Sequence, residues 1–308
     1  MPSIPLIPHT LHRRVEPLPW YALKGALTRR RECALAGAML LMLAVALLGP
    51  AVAQPLHYHD FADQRNWGWL PHAMDVISNL PFVLWGVVGM WALARALYAR
   101  AIDAVEAGLG ALFFCGLCVT AAVSVAYHLQ PGDAGLVWDR SGMVLAFAGL
   151  MGLAAMRAVS VRAGIALAAV VLGLGPLSVY VWSLTGNVLP WAVLQFGGMA
   201  LVVGFACLRP ATAGRALPVR WVLVIAIYAL AKLLELGDHA VFEWTGHMVS
   251  GHSLQHVIAA CAAWPVVTAL LAARKFRAES GSPSKKSGPI TGAEHAAQQP
   301  KRGVEHER

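Results

Sequence analysis

Charge is what this chain has least of. Asp, Glu, Lys and Arg make up 13% of its 308 residues, about half the share found in a soluble globular domain. That shortage excludes an ordinary water-soluble fold. With 58% hydrophobic residues and a mean hydropathy of +0.59, the chain reads as a polytopic membrane protein. Cysteine is also sparse. The five residues Cys33, Cys115, Cys118, Cys207 and Cys261 lie in or beside apolar runs and form no disulfide framework. The CGLC at 115–118 has redox spacing but no βαβ context, so these thiols read as packing residues. Basic residues, finally, are nearly missing from every second loop. The segments 54–74, 129–138, 184–188 and 237–250 contain Arg65 and no other Lys or Arg. The net charge of +8 is therefore topological and calls for no nucleic-acid partner.

Eight apolar segments are long enough to cross a bilayer as helices, at about 33–53, 75–97, 106–128, 139–157, 163–183, 189–208, 219–236 and 251–273. The chain thus divides into a basic amino-terminal segment (1–32), an all-α transmembrane domain (33–273) and a carboxy-terminal tail (274–308) whose polar composition predicts disorder. Loop charge places both termini in the cytoplasm. Residues 33–53 allow two readings, a retained first helix, which is favoured, or a signal segment cleaved after Ala-Val-Ala.

Five polar residues stand at one side of this membrane domain. Ser124 and His128 are four apart near the end of the third apolar segment, so they share a helix face. His252 and His256 repeat that spacing at the start of the last one, and Asp139 opens the fourth. Ionisable groups at membrane depth are costly and rarely idle. Two imidazoles at i and i+4 can bind one metal ion, and a third from a neighbouring helix completes a three-histidine zinc set with an open position. Zinc would supply an activated water, Asp139 a general base and Ser124 a hydrogen bond to a developing oxyanion. A lone histidine at a helix end is usually just solvated; the convergence of three helix ends favours metal. The expected reaction is hydrolysis of an amide or ester whose tails lie in the bilayer, at the periplasmic face of a bacterial inner membrane. A receptor with a structural zinc is the alternative, and a haem protein is a more distant one that leaves Ser124 and Asp139 unexplained.

The combination of Ser124, His128, Asp139, His252 and His256 resembles the alkaline ceramidase family, within the CREST superfamily of membrane hydrolases that also contains the adiponectin-receptor relatives. The SN signature of that family is matched by Ser78, Asn79 and Phe82 in DVISNLPF, and similar stretches run across roughly residues 57–270. The resemblance implies a seven-helix core, here with one extra amino-terminal span. It also implies Zn2+ on His128, His252 and His256, and cleavage of ceramide or a ceramide-like lipid to a sphingoid base and a fatty acid. Family members that bind Ca2+ do so just before the SN signature, where Asp60 and Asp63 stand. Arg65 and His72 depart from that pattern, and a pairing of Asp63 with Arg65 or His72 is the other reading.

Other residues have plainer expectations. Lys232 and Glu235, three apart in the seventh segment, are expected to pair, or else Glu235, Asp238 or His239 orients a metal-bound histidine. His57, His59, His72 and His247 are expected on the surface. Trp67, Trp69, Trp138, Trp182, Trp191 and Trp244 are expected in an interfacial belt.

Overall fold

The structure is a computed structural model that describes residues 20–211 and 217–281. Residues 1–19 and 282–308 lie outside the described residues, and the first part of the tail expected to be disordered, 274–281, instead continues the last helix. The protein is an all-α polytopic bundle. Seven of its helical segments are long and apolar enough to cross a membrane, by length and composition.

Helix α1 (Trp20–Leu48) runs along the periphery and is followed by an irregular segment to residue 72. A short α2 (Ala73–Ile77) leads through Ser78 and Asn79 into α3 (Leu80–Tyr98), with Pro81 in its first turn, where a missing N–H costs nothing. Asp103 caps α4 (Ala104–Leu129) by accepting the amides of Val105 and Glu106. Only Gln130, Pro131 and Gly132 separate α4 from α5 (Asp133–Ala158). Asp139 therefore lies in the second turn of α5, not at the start of the span as its hydropathy suggested. Ser160 caps α6 (Val161–Thr185), which ends at Gly186 with φ of 70°.

Helix α7 (Leu189–Ala192) passes through a π-helical turn (Val193–Gly197) into α8 (Gly198–Cys207). The expected seventh span is the 16-residue α9 (Trp221–Leu236), about 24 Å at 1.5 Å per residue and shorter than the seven above. After Gly237 the chain continues as α10 (Asp238–Trp244). The last span is broken. Helix α11 (Gly251–Cys261) gives way at Ala262 and Ala263 to α12 (Trp264–Gly281), with Pro265 in the first turn of the new helix.

Helices α4, α5 and α6 pack most closely, and α3, α9, α11 and α12 complete the core around them. Small residues permit the approach of α4 to α5. A Cβ on Gly116 would overlap the backbone of Ala146, and one on Gly149 the backbone of Phe113. Gly251 does the same for the site, because a Cβ there would collide with the carbonyl of Leu234. The start of α11 is thereby pressed against the end of α9.

Candidate metal centre

Helix α4 presents Ser124 and His128 one turn apart, and both are buried. Helix α11 presents His252 and His256 in the same way, and the two pairs meet. One nitrogen from each of His128, His252 and His256 lies within 4.8 Å of the others. The imidazole centroids are 4.6–5.0 Å apart. Among the described residues this is where three His, Cys, Asp or Glu side chains gather closely enough to hold a metal ion.

Two details show that the donors suit a cation. Nε2 of His128 and Nε2 of His252 are 3.3 Å apart. Two nitrogens bound to zinc at about 2.0–2.1 Å with tetrahedral angles would be separated by about 3.3–3.4 Å. At His256, the tautomer follows from its neighbours. Ser78 Oγ donates to the Asp75 carbonyl at 2.9 Å and so accepts from His256 Nδ1 at 2.8 Å. The proton of His256 is therefore on Nδ1, and its Nε2 lone pair is free to bind. Asn79 donates to the same Asp75 carbonyl. The SN pair thus supports one histidine of the candidate metal site from outside, with Phe82 edge-on to its ring at 6.3 Å. Ser78→Ala is expected to weaken zinc binding about 10–100-fold, read by competition with a chelator. Unchanged affinity would remove Ser78 from the site.

The remaining supports are packing and one carboxylate. Phe61 lies 4.5 Å from the His252 ring and 4.9 Å from that of His128. His128 Nδ1 is buried and bonds to no protein atom, so its ring is held by Phe61 and Tyr127. Asp238 accepts the backbone amides of His252 at 2.7 Å and Ala62 at 2.9 Å, tying the 49–72 segment to the first turn of α11. It places His252 through its backbone and leaves the ring alone. Lys232 and Glu235 form an ion pair within α9.

All five expected site residues line one cavity of about 690 Å³. Ser124 and Asp139 line this cavity together, beside the histidines. Gln195 on the π-helical turn also faces this cavity and donates to Tyr228 at 2.9 Å. Nothing local in the sequence marks a π turn, though such turns recur at functional sites. Comparison with family models, with curated proteins and with solved structures returns no match for the chain.

Two expectations, for His59 and for the tryptophans, are corrected here, and the alternative pairing of Asp63 with Arg65 is found. The Asp60 and Asp63 pair considered for calcium is otherwise engaged. Both oxygens of Asp63 receive the guanidinium of Arg65, at 2.7 and 2.6 Å, and Asp60 accepts from Gln64 at 2.7 Å. With an arginine's charge already against it, Asp63 makes a poor cation ligand. His59 is more than a surface residue, since its ring joins the Tyr127 hydroxyl at 2.7 Å to Asp133 at 2.9 Å. Trp182 and Trp191 leave the interfacial belt for the interior, each 4% exposed.

The Asp63–Arg65 pair has its own consequence. Arg65 also donates to the carbonyl of Met248 and lies over the ring of Phe242, so it fastens the 49–72 segment to the 237–250 segment. Burial pushes the Asp63 carboxyl up, but the hydrogen bonds and charge of Arg65 outweigh this and hold it below its ordinary 3.8. A depressed carboxyl stabilises the fold above the unfolded value, and that contribution is lost as pH falls through the folded value. Arg65→Ala should cost about 1–3 kcal/mol at pH 7, between exposed and fully buried pairs. The difference from wild type should shrink in melts taken towards pH 3. An equal difference at both pH values would refute this role.

Proposed function

We propose that this protein is a zinc-dependent intramembrane hydrolase of the alkaline ceramidase type. It cleaves the amide bond of ceramide or a ceramide-like lipid to a sphingoid base and a fatty acid. The observation that carries the reading is the meeting of three neutral-capable imidazoles, two of them at zinc-ligand separation, with Asp139 and Ser124 on the wall of the same cavity. His128, His252 and His256 would hold the ion. Bound there, zinc supplies Lewis acidity towards a water and towards a carbonyl oxygen.

The chain's own groups then have defined work. The Asp139 carboxylate accepts a proton from the attacking water and returns it to the leaving nitrogen as the C–N bond breaks. The Ser124 hydroxyl donates to the carbonyl oxygen as charge grows there. Phe61 and Phe82 keep the neighbourhood of the histidines apolar, and the cavity has the volume of an ordinary ligand site. In this reading both termini are cytoplasmic and the cavity faces the periplasm, as the loop charges require.

The test is release of fatty acid from N-acylsphingosine, and from a panel of other lipid amides and esters, by zinc-loaded protein. Turnover that requires zinc supports the proposal. A chain that binds zinc and hydrolyses none of these lipids is a receptor with a structural metal.

A further inference from the structure

The wall of the cavity also holds a buried cation that forms no ion pair among the described residues. Arg140 follows Asp139 on α5, lines the same cavity and is only 3% exposed. An arginine cannot shed its proton, so a buried one needs acceptors. Its guanidinium lies over three aromatic rings, at 4.3 Å from Trp182, 5.1 Å from Tyr58 and 5.9 Å from Trp191. Ring faces attract the charge but offer no acceptor atom to its N–H groups. One of those groups is used, by Nη2 donating to Gln54 at 2.8 Å. Nε and Nη1 bond to no protein atom. Among the described residues Arg140 forms no ion pair.

The carboxylates that other segments bring to the cavity are committed elsewhere. Glu235 is paired with Lys232, Asp238 accepts two backbone amides and Asp60 accepts from Gln64, while the charge of Asp139 reaches Arg140 without an ion pair between them. Arg140 thus has the adjacent Asp139 as its nearest charge partner, but forms no ion pair with it among the described residues and keeps two buried donor nitrogens without a protein acceptor. Its forked donors match a planar or tetrahedral oxyanion. The rest of the wall, with Phe61, Phe82, Leu136 and Met143, suits a hydrocarbon chain.

We infer that Arg140 is an oxyanion-binding residue, and that the amphiphile taken by this cavity carries a carboxylate or phosphate. The inference rests on the lipid-hydrolase reading for the occupant's chemistry, but its test needs no turnover. Two pairs of ligands of equal tail length separate charge from hydrophobicity. Palmitate is compared with hexadecanol, and N-palmitoylglycine with N-palmitoylethanolamine, by equilibrium binding to the full chain in detergent.

Wild type is expected to prefer the anionic member of at least one pair by about tenfold, and Arg140→Met to lose that preference. A preference confined to palmitate places the released fatty acid at Arg140. A preference for N-palmitoylglycine places the anion on the uncleaved head group. Should Arg140→Met fail to fold, Arg140→Lys, which keeps the charge but not the fork, is expected to reduce the preference severalfold. Equal affinities in both pairs, or a preference that survives Arg140→Met, would overturn the inference. So would acetate or inorganic phosphate competing as well as palmitate, because the site would then take ions and not amphiphiles. Binding is measured with and without a chelator, so that an anion held by a metal is told from one held by Arg140, and the hydrolase reading is left to its own assay.

Discussion

Purified in detergent, the wild-type chain is expected to carry about one zinc ion, and the His252→Ala/His256→Ala variant none. The effect is large because the set is small. Three protein nitrogens form the whole of the site, and α11 supplies two of them. The loss should be specific. His256 is buried and held by Ser78, so replacing it removes a ligand and also frees the hydroxyl of Ser78. Folding can be followed separately by the melting of helical signal, since most of the core lies among α3, α4, α5 and α6. Elemental analysis of both proteins decides the matter. A wild-type chain without zinc, or a double variant that retains it, would sink the proposed centre and the hydrolase reading with it.

Asp139→Asn should separate binding from chemistry. The amide side chain keeps the shape, but it cannot accept the proton that a carboxylate takes. Loss of a positioned general base typically costs 10²–10⁴-fold, and lipid hydrolysis should fall by about that factor while zinc content stays at the wild-type level. Asp139 lies on α5, outside the three-histidine group, so the metal should be indifferent to the change. Full activity in Asp139→Asn would assign the proton transfer to another group. Zinc loss in the same variant would make the aspartate a ligand.

What could be read in the sequence follows the range of the signal. Hydropathy is a local property, and it located the helices but not all their bounds, since α1 starts at Trp20, well before the apolar run expected from residue 33, and ends at Leu48. Asp139 moved inward because Pro131 and Gly132 close the outer turn earlier than the apolar run suggests. The last span broke because Pro265 starts a new helix inside it. Spacing of four residues is also local, and it brought out Ser124 with His128 and His252 with His256. Contacts between distant segments carry no such periodicity. The bond from Ser78 to His256 spans 178 residues, and the packing of Phe61 on two histidines joins a loop to two separate helices. Arg140 carries no signal in the sequence, and its enclosure by Trp182 and Trp191 is a contact between distant segments. The resemblance to a ceramidase supplied the SN signature without its reason, and the hydrogen bond to His256 gives that reason.

The distance along the chain between the ligands also bears on how the protein is made. His128 and His252 are 124 residues apart, and at 5–20 residues per second a ribosome needs about 6–25 s to get from one to the other. The close-packed hairpin of α4 and α5 is complete early in that interval, holding one histidine ready. The other two arrive only with the last helices. A nascent or truncated chain therefore offers one of the three grouped imidazoles, and if the site holds a metal, its loading would mark the arrival of the last helices.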